Sequence, residues 1–289
     1  MKSCDLHTHS TFSDGTYTPE EIIDLAVKTG LAAVALTDHN TVSGLERFIA
    51  YAKDKSIDIV PGIEITTDYN GIEFHILGLF VRQNMFNQIN DYLKIASDRK
   101  EKSNILLVER LNDNGYKIDY DKIKNSSPSG KINRANIAAE LFSLGLVESV
   151  NKAFSTILST EYGFYEQPER LTALETIDFL KSIGAASVWA HPLLSTNYDI
   201  CEKFVPIAKE RGLIGIETIY SLYSEADSLF AKKMCDKYMM LESGGSDFHG
   251  DIKPDTLLGK GCGNIEVPYD FFKKLSICSQ NMIYANNGF

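Results

Sequence analysis

The chain opens with Cys4-Asp5-Leu6-His7-Thr8-His9-Ser10, and Asp14 follows at once. A short apolar run ending in His-x-His reads as a β-strand, whose two-residue period places His7 and His9 on one face, roughly 7 Å apart. Two imidazoles at that separation can converge on one ion, because a metal–nitrogen bond is only about 2.0–2.1 Å. Taken alone, the pair reads equally well as a polar strand end. The other four histidines tip the balance: His39 in Thr37-Asp38-His39-Asn40, His75 in Phe74-His75-Ile76, His191 in Ala190-His191-Pro192, and His249 in Ser246-Asp247-Phe248-His249. Asp247 and His249 repeat the two-residue spacing of the opening motif. Together with Asp14 and with Glu64 in Pro61-Gly62-Ile63-Glu64, these groups exceed what one four-coordinate ion uses. They point to a cluster of two or three divalent metals.

Elements that would position these groups can be read from the pattern around them. Thr18-Pro19-Glu20-Glu21 has the cap, first-turn proline and acidic start of a helix running to about Thr29, and Gly30 ends it. Ala32 to Leu36 is then a buried strand delivering Asp38 and His39. After a helix with Leu45, Phe48, Ile49 and Ala52 on one face come strands 58–65, carrying Glu64, and 72–80, carrying His75. This is the rhythm of a parallel α/β sheet. It breaks over 85–170, which reads as helices around the polar turn Asn125-Ser126-Ser127-Pro128-Ser129-Gly130, an inserted helical subdomain of the kind that covers the active face of a barrel. The alternation then resumes, with strands ending at His191, near Ile219, and at Glu242 before Gly244-Gly245-Ser246-Asp247. Seven principal strands result, with 1–84 and 171–289 forming the barrel. His7, His9, His39, Glu64, His191 and Asp247 all fall at or beyond strand carboxyl ends, where parallel barrels assemble their active sites.

Composition bounds the function. With 289 residues and 44% hydrophobic content, the chain can bury a full core. No apolar run approaches the roughly 20 residues that span a bilayer, and the amino end lacks a signal-peptide pattern, so a cytoplasmic location is expected. Five cysteines, odd in number and widely spaced, suit free thiols in a reducing compartment. A formal charge of −10 argues against stable duplex nucleic-acid binding, yet three divalent ions would bring it to about −4 and leave a positive pocket for a small anion.

With these residues in place, the chain resembles the PHP (polymerase and histidinol phosphatase) superfamily of metal-dependent phosphoesterases. The matching segments are Asp5-Leu6-His7-Thr8-His9-Ser10, Ser13-Asp14-Gly15, Thr37-Asp38-His39, Pro61-Gly62-Ile63-Glu64, His75, His191-Pro192 and Gly244-Gly245-Ser246-Asp247-Phe248-His249-Gly250, in family order. The resemblance implies an α/β fold, a distorted (β/α)7 barrel, and up to three metals, manganese foremost, with iron or zinc also found. It places His7, His9, Glu64 and Asp247 around one ion, Glu64, His75 and His191 around a second, and Asp14, His39 and His249 around a third, with Glu64 bridging. Within the family, the chain is most similar to the bacterial branch that removes phosphate from nucleotides, including nucleoside 3′,5′-bisphosphates, and trims short RNA from the 5′ end. That branch carries Arg-x-His-Ile-Ala in its insertion; here the stretch is Arg134-Ala135-Asn136-Ile137-Ala138, with asparagine in place of histidine.

The expected chemistry is in-line hydrolysis of a phosphomonoester by a metal-bridged hydroxide. Arg134 would hold two phosphoryl oxygens by its planar fork, beside Asn136. The alternative for Arg134 is an ion pair with Glu140 or another acid of its own helix. Asp5 and Asp38 are expected to orient ligand imidazoles through hydrogen bonds. Phe12, Tyr17, Tyr220 and Tyr223 read as packing, with base stacking as the alternative. Lys131 and Arg170 read as solvated charges, with a second phosphate contact as theirs. Trp189 fills the core beneath His191, and Gly244-Gly245 lets the backbone turn before Asp247. Two competing functions stay open, a histidinol-phosphate phosphatase and a non-catalytic metal-binding module. Oligomeric state is not legible.

Overall fold

A computed structural model describes residues 2–126, 132–161 and 163–286. Lys131, Tyr162 and most of the expected turn at 125–130 lie outside them. The chain divides into two compact units, residues 1–91 with 171–289, and residues 92–170.

The first unit is built on eight strands: β1 (Ser3–Asp5), β2 (Ala33–Leu36), β3 (Asp58–Tyr69), β4 (Ile72–Leu79), β5 (Ala186–Ala190), β6 (Gly215–Tyr220), β7 (Leu241–Gly245) and β8 (Val267–Pro268). They form one sheet in the order β7-β6-β5-β4-β3-β2-β1-β8. Backbone hydrogen bonds from Leu6 to Gly244 (3.2 Å) and from Asp247 to His7 (3.0 Å) bring β7 back onto β1, nearly closing a barrel. Pairings β1–β2, β2–β3, β5–β6 and β6–β7 are parallel. β4 departs from the expected parallel rhythm and runs antiparallel to both β3 and β5. The reason is local: Asn70 (φ 54°) and Gly71 (φ 82°) make a two-residue turn with both residues left-handed, which joins strands only as a hairpin. His75 therefore projects from the middle of an antiparallel strand.

Helices α1 (Pro19–Thr29) and α2 (Leu45–Ala52) follow β1 and β2. α1 starts where its residues say it should: the Thr18 hydroxyl accepts from the Glu21 backbone, the Glu21 carboxylate accepts from the Thr18 backbone, and left-handed Gly30 closes the other end. The barrel interior below the site is packed by Cys4, Leu6, Ala35, Val60, Leu77, Val188 and Val267, all fully buried.

α3 (Phe86–Asp113) begins in the first unit and continues into the second, which adds α4 (Tyr120–Ser126), α5 (Arg134–Ser143) and α6 (Val150–Ser155). This helical unit has its own core, centred on Leu107, Leu111, Ile137, Leu141, Ala153 and Leu158. The barrel unit resumes with α7 (Ala173–Ser182), α8 (Pro192–Ser195), α9 (Tyr198–Arg211), α10 (Glu225–Tyr238) and α11 (Tyr269–Asn286).

Candidate metal centre

All six histidines, Asp14, Glu64 and Asp247 meet at one end of the barrel. The centre of the arrangement is Glu64, on β3 and fully buried. Its Oε2 lies 3.0 Å from His7 Nε2, 3.1 Å from His9 Nε2 and 3.2 Å from His39 Nδ1. Its Oε1 lies 2.8 Å from His75 Nδ1 and 3.1 Å from His191 Nε2. Asp247 Oδ1 is 3.2 Å from His9 Nε2 and 3.5 Å from His7 Nε2. On the other side of His9, half-exposed Asp14 stands 3.3 Å from His249 Nε2 and 3.8 Å from His39 Nε2.

Three donor groups, each with atoms within 4.8 Å of one another, emerge: His7, His9, Glu64 and Asp247; His9, Asp14, His39 and His249; and His39, Glu64 and His75. The first equals the expected set. The second adds His9 to its set, and the third holds His39 where His191 was expected, although His191 also reaches Glu64.

Hydrogen bonding does not account for this packing. Five imidazoles crowd a carboxylate that offers about four lone-pair sites. Buried His9 Nδ1, His9 Nε2 and His39 Nδ1 have no hydrogen-bond partner among the described residues, although carboxylate oxygens lie close to all three. Ligands of one tetrahedral ion at about 2.0–2.1 Å are separated by about 3.3 Å from each other, and the nitrogen–oxygen distances here scatter around that value. Nitrogens with nothing to bond, aimed with carboxylates at common points, fit divalent cations of the zinc, iron or manganese type.

The electrostatics agree. Burial alone would lower the His7 pKa, but Glu64, Glu217 and Asp247 carry it well above the ordinary value. His9 is likewise pushed up to about 9 against its own burial, by Asp247 and Glu64. Glu64 and Asp247, despite desolvation, are held well below the carboxylate range, chiefly by His7. Burial takes His39 down to about 4 and lowers His249, with His9 adding repulsion to both. Without cations, protons on His7 and His9 are what balance the buried carboxylates.

Local backbone serves the same end. His191 (φ 28°) and Asp247 (φ 57°) are left-handed, a conformation that collects at functional sites. Gly245 has a different role from the expected turn: it lies in β7, and a Cβ there would stand 2.4 Å from His7 Cβ and 2.6 Å from His7 N. Only glycine lets β7 pack this closely on the first ligand strand.

Asp5 and Asp38 do not orient imidazoles. Asp5 accepts from Ser246 N (2.9 Å), Ser246 Oγ (2.5 Å), Gly259 N (2.8 Å) and the His7 backbone (3.3 Å). Asp38 accepts from Ser10 N (2.7 Å), Ser10 Oγ (2.7 Å) and Ser13 Oγ (2.6 Å). Short hydroxyl and backbone donors of the adjoining loops reach these carboxylates first, so both hold the segments that carry the candidate donors. A carboxylate outside the nine candidate donors that does meet a buried imidazole is Glu217 on β6, with Oε1 3.1 Å from His7 Nδ1. Its sequence signal was a single acid inside the apolar run Gly215-Ile216-Glu217-Thr218-Ile219. Lys253 was also missed: its Nζ donates to Asp247 Oδ2 at 2.8 Å, beside the Tyr220 hydroxyl at 3.0 Å, leaving Oδ1 to face His7 and His9.

The aromatics are packed. Tyr17 meets Phe248 edge-on, Phe12 lies under the Arg47 guanidinium, and the Tyr223 hydroxyl accepts from Leu193 N. Trp189 is buried against Phe74 and Phe204.

In the helical unit, Arg134 pairs with neither Glu140, which is bonded to Lys122, nor any other acid among the described residues. Its guanidinium stacks 4.0 Å from the Tyr165 ring, with Nη1 3.4 Å from Leu158 O. Asn136 is not a free polar side chain, because Asn133-x-x-Asn136 closes a capping box in which Asn136 Oδ1 accepts from Asn133 N at 2.9 Å.

The chain is 28% identical over 252 residues to a 5′-3′ exoribonuclease of Haemophilus influenzae, covering 86% of this chain and 90% of the relative. It is 27% identical over 250 residues to a phosphoribosyl 1,2-cyclic phosphate 1,2-diphosphodiesterase of Eggerthella lenta, covering 85% and 94%. A solved structure from Bifidobacterium adolescentis superposes with a TM-score of 0.67 at 24% identity over 96% of both chains, which shows the fold. The PHP domain model matches residues 5–162, more than half of the sequence and the stretch that supplies Glu64 and five of its neighbours at the site, and the chain thus belongs to the PHP domain family.

Proposed function

We propose that this metal-dependent phosphoesterase hydrolyses a phosphomonoester of a nucleotide, a nucleoside monophosphate or 3′,5′-bisphosphate, with short RNA 5′ ends in the same class. The observation that carries the reading is the convergence of five imidazoles on buried Glu64, with nitrogens of His9 and His39 left without hydrogen-bond partners among the described residues. His7, His9, Glu64 and Asp247 would hold one ion, Glu64, His75 and His191 a second, and Asp14, His39 and His249 a third. Manganese is the favoured metal, with iron or zinc as substitutes. When bound, such ions supply a nucleophile at neutral pH and offset phosphoryl charge.

The chain's own residues do the rest. Tyr220 and Lys253 occupy one oxygen of Asp247 and so present the other toward His7 and His9. Asp5 and Asp38 pin the loops that follow β1 and β7. Arg134, held flat on Tyr165 with no competing carboxylate among the described residues, is the proposed phosphate fork. Asn136 has its amide nitrogen left for substrate once its oxygen is used in the cap.

A nucleotide substrate is supported by the exoribonuclease relative. The Eggerthella relative supports a second reading, hydrolysis of a ribose-linked cyclic phosphodiester at the same centre. Five free cysteines support a reducing, cytoplasmic setting. A steady-state panel on metal-loaded protein tests these readings with AMP, adenosine 3′,5′-bisphosphate, a 5′-phosphorylated oligoribonucleotide, a ribose cyclic phosphate and histidinol phosphate. The highest kcat/KM on one of the first three supports the nucleotide reading. A preference for the cyclic ester selects the second. Histidinol phosphate as best substrate, or no turnover with ions bound, overturns both.

A further inference from the structure

Glu217 sits within β6, fully buried, and its two oxygens reach two different strand ends. Oε1 is 3.1 Å from His7 Nδ1, just beyond β1, and Oε2 accepts from the backbone N–H of His191, just beyond β5, at 2.7 Å. β1 and β5 are not neighbours in the sheet, so one carboxylate ties ligands from separate parts of the barrel. His191 is left-handed (φ 28°, ψ 52°) and opens α8 with no side-chain cap of its own. The two rings lie nearly parallel, with centroids 5.5 Å apart and planes 16° apart, and each turns Nε2 toward Glu64.

We propose that Glu217 is a positioning residue of the metal centre, fixing the tautomer and ring plane of His7 and the left-handed backbone of His191 so that both Nε2 atoms face the ions. A carboxylate accepts only, so in the neutral ring that binds a cation the one hydrogen sits on His7 Nδ1, toward Glu217, and Nε2 offers its lone pair. Glutamine cannot serve in its place. Its single oxygen can accept from His7 or from His191, and its amide group turns N–H toward the other donor.

This rests on the metal assignment made above, and the test separates the two. Zinc is titrated into metal-stripped wild type, Glu217→Gln and Glu217→Asp against a chromophoric chelator, with thermal unfolding of each metal-free protein as the measure of folding. The expected result is a 10- to 100-fold weaker affinity for the ion held through His7 in Glu217→Gln, smaller losses at the remaining ions, and partial recovery in Glu217→Asp. A zinc affinity of folded Glu217→Gln equal to wild type, even with a lowered Tm, overturns the role of Glu217. Wild type that binds no zinc overturns the metal assignment instead. Should neither variant fold, nitrogen NMR of zinc-loaded wild type decides. A proton on His7 Nδ1 and none on Nε2 supports the proposal, and the reverse tautomer refutes it.

Discussion

Replacing Gly245 by alanine is a one-atom perturbation whose size can be worked from the structure. The new Cβ would meet His7 Cβ at 2.4 Å and His7 N at 2.6 Å, whereas ordinary contact begins near 3.4 Å. The two strand segments must therefore separate by about 1 Å at the residue that carries the first proposed ligand. Gly245 is not left-handed, so alanine adds no backbone strain and the contact is the whole effect. Overpacking of this kind costs about 1–3 kcal/mol, a drop of roughly 2–5 °C in Tm for a chain of this size. A 1 Å displacement of a reacting constellation costs about 100-fold in rate. The assay is kcat on the best substrate of the panel together with zinc affinity, against Gly30→Ala as control. Gly30 is left-handed with nothing within 4 Å, so alanine there costs about 1 kcal/mol of stability without touching the site. Wild-type turnover and zinc affinity in Gly245→Ala would refute the claim that β7 packing sets the position of His7.

Other outcomes follow from the same geometry. Metal binding at pH 7 should release protons, since metal-free His9 titrates near 9 and His7 well above its ordinary value. Zinc affinity should climb from pH 7 to about 9, and calorimetry in two buffers of different ionisation enthalpy checks it, with no net release counting against the account. The same raised pKa stabilises the metal-free fold below about pH 6.5 and is lost as pH rises through 9, so metal-free Tm should fall over that range. Arg134→Ala should lower kcat/KM by about 2–4 kcal/mol, roughly 30- to 1000-fold, at unchanged metal content, and an effect under threefold would remove it from phosphate binding. Iodoacetamide should modify exposed Cys262 first and spare buried Cys4 and Cys235, whose thiols burial pushes up to about 12, as mapped by mass spectrometry.

The candidate donors were legible because metal chemistry leaves few choices of residue. His-x-His and Asp-x-His at strand ends cannot be mistaken for core, and the fold brings all nine candidate donors together. What stayed hidden depends on partners distant in sequence. Glu217 looks like any acid in a strand until His7, beyond β1, and His191, beyond β5, are seen to meet its two oxygens. Asp5 and Asp38 adjoin ligands in sequence, yet serine hydroxyls and loop amides reach their oxygens before any imidazole does. Two misses were local: Asn70-Gly71 is a hairpin signal that makes β4 antiparallel, and Asn133-x-x-Asn136 is a cap that takes the oxygen of Asn136. The grouping of donors also shifted, since His9 faces both Asp247 and Asp14 and so belongs to two sets.

The claim beneath all of this is that Glu64 and its ring of imidazoles exist to hold cations. Anomalous diffraction from crystals grown with manganese, collected above and below the metal edge, tests it directly. The account predicts at least two anomalous peaks, each within about 2.0–2.3 Å of donors drawn from His7, His9, Asp14, His39, Glu64, His75, His191, Asp247 and His249. Electron density showing those side chains as placed, with no anomalous scatterer among them, would contradict it.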